Sequence, residues 1–178
     1  MYNWNSSVIV INCIFVRNSA VIGGGMYDVS YGSLVTNCTF WHNSASSSGA
    51  MDSSSTSLTV TNCIFWGDSD SSLGSEFGPG YPFNPTVTHS IIAGGYPGAG
   101  NLDVDPLLNP DLTLQPGSPA IDSGGCGANV TTTDIFGNPR WDIASAQDAS
   151  GSNGVDIGAY EYQGVAGTDN TIANVTCP

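Results

Sequence analysis

The chain has almost no positive charge. Its 178 residues include two Arg and no Lys against 15 acidic residues, which gives a formal net charge of −13 at pH 7. Nucleic acids and anionic membranes are bound through Lys and Arg side chains that neutralise phosphate. The composition therefore argues against both as partners, and it disfavours acidic polysaccharides for the same reason.

Long apolar runs are also missing. No stretch reaches the roughly 18 apolar residues of a membrane span, and the N-terminus lacks the basic start and apolar segment of a signal peptide. We expect no membrane insertion. The Lys-free composition, rich in Ser, Thr and Asn, favours a secreted or cell-surface protein, although this chain shows no signal peptide.

Residues 1–75 contain one pattern three times at a spacing of 25 residues. A fixed period of this length indicates a solenoid, in which each repeat buries its apolar face by stacking on the next. The repeated positions are Met1, Met26 and Met51; Cys13, Cys38 and Cys63; and Phe15, Phe40 and Phe65.

Within a repeat, apolar and polar residues alternate as in a β-strand. Residues 57–61 (SLTVT) alternate, Asn62 interrupts, and Cys63 and Phe65 resume on one face. Each block therefore predicts about three short strands joined by tight corners, and no segment has helical periodicity. The predicted fold class is all-β, a parallel β-helix with coils of about 25 residues and an irregular C-terminal cap.

The repeat becomes less regular along the chain, and this change gives the predicted boundaries between coils, cap and tail. Coils are expected over residues 1–122, regular in 1–75 and looser in 76–122. The cap of the same domain is predicted at 123–163. The tail, 164–178, contains an alternating stretch that predicts one more strand.

Stacked coils place identical positions above one another. The phenylalanines are expected to form an aromatic stack and the repeat cysteines a column of buried free thiols. Asn tolerates the left-handed backbone of a corner, and its amide can bond to the coils above and below. Asn12, Asn37 and Asn62 are predicted to form such a column, and Asn18 and Asn43 a second one.

Several stretches resemble a known family. GGGMY with VTNCTFWHNSA resembles the repeats of bacterial right-handed parallel β-helix surface proteins of the pectate-lyase-like superfamily. The second half resembles the C-terminal region of choice-of-anchor Q domain proteins, in the stretches NLDVDPLL (101–108), LTLQPGSPAIDSG (112–124), DIFGNPR (134–140) and VDIGAYEY (155–162). The resemblance implies a right-handed β-helix and a large surface protein of unassigned activity.

The resemblance also suggests polysaccharide lyase activity. Lyases of this superfamily use an Arg or Lys base beside calcium-binding carboxylates. Arg17 has no acidic cluster in its repeat, and Arg140 is expected to form an ion pair in the cap. We therefore predict no catalytic residue, and no metal or other cofactor, with low expectation of calcium. The expected Arg140 partners are Asp122, Asp134 or Asp156, and the weak calcium candidates are Asp103 and Asp105.

Two cysteines lie outside the repeat. Cys126 and Cys177 are candidates for a disulfide that ties the tail to the cap, although sequence does not establish pairing. His42 and His89 have no Cys or His companion at zinc-binding spacing, which argues against a zinc site.

Aromatic residues predict either an interface or a sugar-stacking surface. Trp41 and Trp66 are one period apart and are expected to point outward together. Because contiguous exposed apolar patches usually mark interfaces, we favour that interpretation. The interface candidates are Tyr2, Trp4, Trp41 and Trp66, with Ile172 and Val175 in the extra strand. The possible sugar-stacking set consists of Trp4, Trp41, Trp66, Tyr27, Tyr31 and Trp141.

The two ends of the solenoid suggest a function. No cap precedes the first coil, and an exposed strand edge promotes further pairing. The sequence predicts a non-catalytic extracellular structural protein that assembles head to tail with itself into filaments. The alternatives are a fragment of a larger cell-surface adhesin and a β-helix that binds or cleaves a neutral glycan.

Overall fold

The computed structural model describes residues 1–55, 57–70, 85–126, 129–143, 154–164 and 172–174. These residues form an all-β parallel solenoid with coils about 25 residues apart, and no helix occurs among them. The predicted fold class is confirmed as a parallel β-solenoid.

Four parallel sheets run along the solenoid, each built from one short strand per coil. Their orders are β1-β5-β9, β2-β6-β10-β13, β3-β7-β11-β14 and β4-β8-β12. The first two coils comprise β1 (Tyr2–Trp4), β2 (Ile9–Ile11), β3 (Ile14–Val16), β4 (Ser19–Ile22), β5 (Met26–Val29), β6 (Leu34–Thr36), β7 (Thr39–Trp41) and β8 (Ser44–Ser47). The next strands are β9 (Met51–Ser53), β10 (Thr59–Thr61), β11 (Ile64–Trp66), β12 (Ser69–Asp70), β13 (Thr86–Thr88) and β14 (Ile91–Ile92).

The pairing register follows the sequence period. Val10 pairs with Val35, and Val35 pairs with Val60. Val60 then pairs with Val87, so the next coil is offset by 27 residues. Each strand therefore presents its inward residues to the same column in every coil.

The corners need left-handed backbone, which explains their residue types. Asn12, Asn37 and Asn62 have φ values of 50°, 50° and 53°. Among non-glycine residues, Asn tolerates this conformation best because its short polar side chain bonds locally. The predicted Asn corners are confirmed.

The interior is a continuous apolar column. The Phe15 and Phe40 rings stack with centroids 4.5 Å apart, and Phe40 and Phe65 stack at 4.7 Å. The main core also contains Met26 and Met51, the valines of the second sheet and the repeat cysteines. The predicted aromatic stack is therefore confirmed.

Residues 94–102 close the far end of the solenoid. The Asn101 amide donates to the Val87 and Tyr96 carbonyls, and its oxygen accepts from the Ser90 N–H. Tyr96 packs against the main core. Val87 and Ile92, the core residues of the last described coil, are consequently 2% and 1% exposed.

The predicted C-terminal cap does not close that end. The described residues of 118–164, which we call the strap, lie along the side of the coils instead. Ile157 packs with Ile64 and Ile91, which point outward from the third sheet, in a second apolar cluster. The described residues of the expected cap at 123–163 therefore pack on the side of the coils, because outward-facing Ile residues give them an apolar surface to cover.

One glycine lets the strap approach closely. A Cβ on Gly158 would lie 2.8 Å from Ile64 Cδ1 and 3.1 Å from Thr39 Oγ1, and its φ is 108°. The neighbouring Ala159 N–H donates to Thr39 Oγ1 at 3.1 Å. Only glycine fits this position of the VDIGAYEY stretch, since both the space and the backbone conformation exclude a side chain.

The extra strand predicted in the tail exists and is paired within the chain. β16 (Ile172–Asn174) pairs antiparallel with β15 (Trp141–Ile143). The prediction treated this strand as free for a neighbouring molecule, and the intramolecular pairing corrects that view. Val175 lies outside the described residues.

Candidate functional site

The repeat cysteines form an inward column of free thiols. Cys38 and Cys63 are buried, and Cys13 in the first coil is half-buried. Burial raises the pKa of the Cys38 thiol well above its ordinary value. A hydrogen bond with Cys38, followed by desolvation, raises the pKa of Cys13. Protonated thiols are poor nucleophiles and metal ligands, so this column is packing.

Contrary to the prediction, the side chains of the first Asn column do not hydrogen-bond to one another along the stack. The Asn12 amide donates to Thr131 Oγ1 and the Thr133 carbonyl, and the Asn62 amide donates to the Gly125 carbonyl. Gly125 N–H in turn donates to Asn62 Oδ1 at 2.9 Å. The column therefore holds the strap, because its side chains point outward from the corner.

Asn37 belongs to the same arrangement. Its amide lies 3.3 Å from the Asp156 carbonyl and 3.5 Å from the Gly158 carbonyl. All three amides of the column thus contact strap backbone rather than one another.

The second Asn column does bond along the stack. The Asn18 amide donates to Asn43 Oδ1 at 2.9 Å, and the Asn43 amide donates to Asp68 Oδ1 at 2.6 Å. Asp68 occupies the third position of the column. This part of the prediction is confirmed.

The partner predicted for Arg140 is wrong. Its Nη1 lies 2.7 Å from Glu161 Oε2, and both side chains are buried. Its Nη2 donates to Asn12 Oδ1 and to the Gly158 carbonyl. Glu161 was overlooked because the prediction considered only aspartates.

The three predicted aspartates have other partners. Asp134 accepts N–H bonds from Phe136 and Asn138 in a turn. Asp156 accepts from the Asp122 and Tyr162 N–H groups. Burial, followed by repulsion from Glu161, raises the pKa of Asp156 well above its ordinary value. Arg140 therefore forms a buried ion pair within the strap.

The weak calcium candidates cap turns. Asp103 Oδ1 accepts the Gly94 N–H, and Asp105 Oδ1 accepts the Leu107 N–H. Among the described residues, no group of three or more His, Cys, Asp or Glu side chains is arranged to hold a metal ion. His42, considered for zinc, lies with Nδ1 3.1 Å from the Gly67 carbonyl oxygen.

Cys126 is disulfide-bonded, in agreement with its predicted role. Its predicted partner, Cys177, lies outside the described residues. The structure describes no helix long and apolar enough to cross a membrane.

The predicted tryptophan ladder is in register but not free. Trp41 pairs with Val16 and Trp66 across the third sheet. Trp66 packs against the second apolar cluster beneath the strap, and Trp41 contacts the His42 ring edge-on at 4.7 Å. Both indoles are half-buried. Part of this surface is therefore already occupied by the chain itself.

The first coil leaves the main core uncovered. Met1 is 50% exposed, whereas its equivalents Met26 and Met51 are fully buried. Phe15 is likewise only half-buried, while Phe40 and Phe65 are inaccessible. We call the outer border of β1–β4 the open edge.

Several backbone N–H groups at the open edge meet none of the residues that the structure describes. Leu34, Thr39 and Ser44 donate their N–H groups to the first coil, to the carbonyls of Val8, Cys13 and Asn18. By the same register, the N–H groups of their first-coil equivalents point away from the solenoid and meet no described residue. These equivalents are Ile9, Ile14 and Ser19.

A cavity of about 390 Å³ lies on the side of the first three coils. We call it the aromatic cavity, and its lining consists of Trp4, Asn5, Val29, Ser30, Tyr31 and Ser54. Trp4 and Tyr31 belong to the sugar-stacking set considered from sequence. The other lining residues were missed, since no sequence signal joins three different coil positions into one cavity.

No family model, curated protein or solved structure matches the chain.

Proposed function

We propose that the protein is a non-catalytic, extracellular structural protein that associates with itself through the open edge of its first coil. The observation that carries this proposal is the uncovered core at that edge. Met1, whose equivalents in the next coils are buried, is 50% exposed there, and the outward-facing side chains of Ile9 and Val21 on the same edge strands are 63% and 74% exposed. Unpaired strand edges combined with exposed apolar side chains favour strand addition by another chain.

The two ends of the solenoid shape the proposed assembly. The head-to-tail filament predicted from sequence needs two accessible ends, but residues 94–102 cover the far one. Two open edges that meet across a two-fold axis form a closed, isologous contact instead. Their strands then pair antiparallel. The contact we propose is such a pair, and the filament is the alternative form of the same self-association.

Lysine on an exposed edge strand opposes edge-to-edge pairing. The test compares the wild type with Ile9→Lys/Val21→Lys, with multi-angle light scattering after size exclusion. The control, Val104→Lys/Leu107→Lys, adds the same charge at exposed positions beyond the last described coil. We expect twice the 18.3 kDa chain mass for the wild type and the control, and the single-chain mass for the edge variant.

Two other results are informative. Assemblies that lengthen with concentration in electron micrographs would favour the filament over the pair. A monodisperse wild-type monomer at all concentrations would refute self-association.

A second candidate rests on the same edge. Further coils of a longer cell-surface adhesin, upstream in the same polypeptide, would cover the open edge equally well. Mass spectrometry of the natural protein distinguishes this candidate, since peptides from upstream coils would be found.

The family resemblance supports an extracellular, cell-surface setting. We propose that the chain is related to the pectate-lyase-like β-helix proteins with a choice-of-anchor Q C-terminal region. The matching stretches all take structural roles here: 101–108 contributes to closing the far end, and 112–124, 134–140 and 155–162 contribute to the strap and its supports. A disulfide at Cys126 also fits an oxidising compartment. Surface labelling of the source cells tests the location.

A further inference from the structure

We propose that the aromatic cavity is a binding site for a neutral glycan. The cavity lies on the side of the solenoid, where Trp4 of β1 pairs in register with Val29 of β5. Ser54 follows β9 in the next coil, and its N–H donates to the Asp28 carbonyl. The volume of the aromatic cavity, about 390 Å³, falls in the range of small-ligand pockets, about 300–1,000 Å³.

Two exposed aromatic side chains line the cavity. Trp4 is 65% exposed and Tyr31 is 74% exposed. The first comes from a strand and the second from a corner, so they border the cavity from different parts of the coil. A pyranose ring has an apolar C–H face that covers an aromatic ring and removes both surfaces from water.

The polar groups of the lining are available to a ligand. The side chains of Asn5 and Ser54, the Tyr31 hydroxyl and the Trp4 indole N–H make no hydrogen bond to the described residues. They supply donors and acceptors of both kinds. Aromatic surface with a few convergent, uncharged polar groups is the arrangement that binds a polyhydroxylated ring.

The corner that carries Tyr31 is held in place from behind. Ser30 Oγ donates to Asp28 at 2.9 Å and contacts Ser33 Oγ at 2.7 Å. Ser7 Oγ donates to the Tyr31 carbonyl. A wall fixed before binding loses less conformational freedom when the ligand enters.

The charges select a neutral ligand. The net charge of −13 repels uronic acids and sulfated sugars. The carboxylate of Asp28, the residue before Val29 of the lining, is fully buried and accepts from Asn3, Ser30 and Ser33, so it is not accessible to a cation. The lining itself contains no charged side chain.

The test is a glycan array followed by calorimetric titration with the best neutral oligosaccharide. Trp4→Ala and Tyr31→Ala are each expected to weaken binding about tenfold or more, since each removes a stacking surface. Phe136→Ala is the control, because Phe136 is a 70% exposed aromatic on the strap. It should leave binding unchanged.

Three results would overturn the proposal: no neutral glycan bound, binding unaffected by both cavity variants, or preference for acidic polysaccharides or quaternary ammonium compounds. The titrations are repeated in the Ile9→Lys/Val21→Lys background. Glycan binding that persists in this monomeric variant supports the cavity independently of self-association.

Discussion

At the scale of single residues, the phenylalanine of the repeat is buried to different extents in different coils, although the coils share one sequence pattern. Phe40 is packed by a ring on each side and is fully buried. Phe15 stacks on Phe40 alone and stays half-buried at the open edge. The energetic value of the repeat position therefore depends on where its coil lies in the stack.

Phe40→Ala should lower the free energy of unfolding by about 3–5 kcal/mol, because it leaves a cavity inside the stack. Phe15→Ala should cost clearly less in the monomer, since much of its ring is already in contact with water. Urea denaturation of the two variants in the Ile9→Lys/Val21→Lys background measures the difference. Equal losses would show that the first coil is covered in solution.

At the scale of elements, the strap is held by a buried polar network. Arg140 joins Glu161 to Asn12, and thereby connects the strap to the first coil. Both charged side chains are almost inaccessible to water. Removing one member of such a pair leaves the other charged, buried and uncompensated.

Arg140→Gln should therefore destabilise the protein by about 3–5 kcal/mol. Arg17→Gln is the matched control, because Arg17 is exposed and its replacement should change stability by less than about 0.5 kcal/mol. Denaturant titration of both variants measures the difference. Similar stabilities for the two would contradict the assigned role of the ion pair.

The same network predicts a dependence on pH. Asp156 has a pKa raised above its ordinary 3.8, chiefly by burial and then by the neighbouring Glu161 charge. Above 3.8 the folded protein retains a proton that the unfolded chain releases, so stability falls as pH rises towards the folded pKa. The slope is at most about 1.4 kcal/mol per pH unit for one proton.

Unfolding free energies measured from about pH 4 to about pH 8 check this dependence. Asp156→Asn should remove the contribution of this residue and flatten the profile. A slope that is unchanged in the variant would show that Asp156 is not the group responsible.

At the scale of the whole molecule, the two ends of the solenoid differ. The first coil exposes its core, whereas Asn101 holds residues 94–102 over the last described coil. One accessible end limits association to a pair. The difference between a pair and a filament therefore depends on a few hydrogen bonds.

Asn101→Ala should loosen this cover and expose Val87 and Ile92. A molecule with two accessible ends is expected to form chains that lengthen with concentration. Negative-stain electron microscopy and light scattering measure their length. Asn109→Ala is the control, because its side chain bonds to Thr113 and Leu114 away from that end. If the control variant also formed such assemblies, their formation would not be caused by exposure of the far end of the solenoid.

The sequence by itself determined the coils. A 25-residue period with inward Val, Cys and Phe permits one register, because a slip of one residue would turn the apolar set outward. The left-handed corners at Asn12, Asn37 and Asn62 were predictable for the same local reason, since few other side chains tolerate that backbone.

Only the tertiary structure decided what covers the coils. The Arg140–Glu161 pair, the Asn62–Gly125 bonds and the aromatic cavity join residues far apart in the chain that share no period. The residue type at an outward-facing position depends on the segment that packs on it. A repeat pattern does not identify that segment. The described part of the strap therefore covers the first Asn column and part of the tryptophan ladder, and it leaves the open edge and the aromatic cavity uncovered.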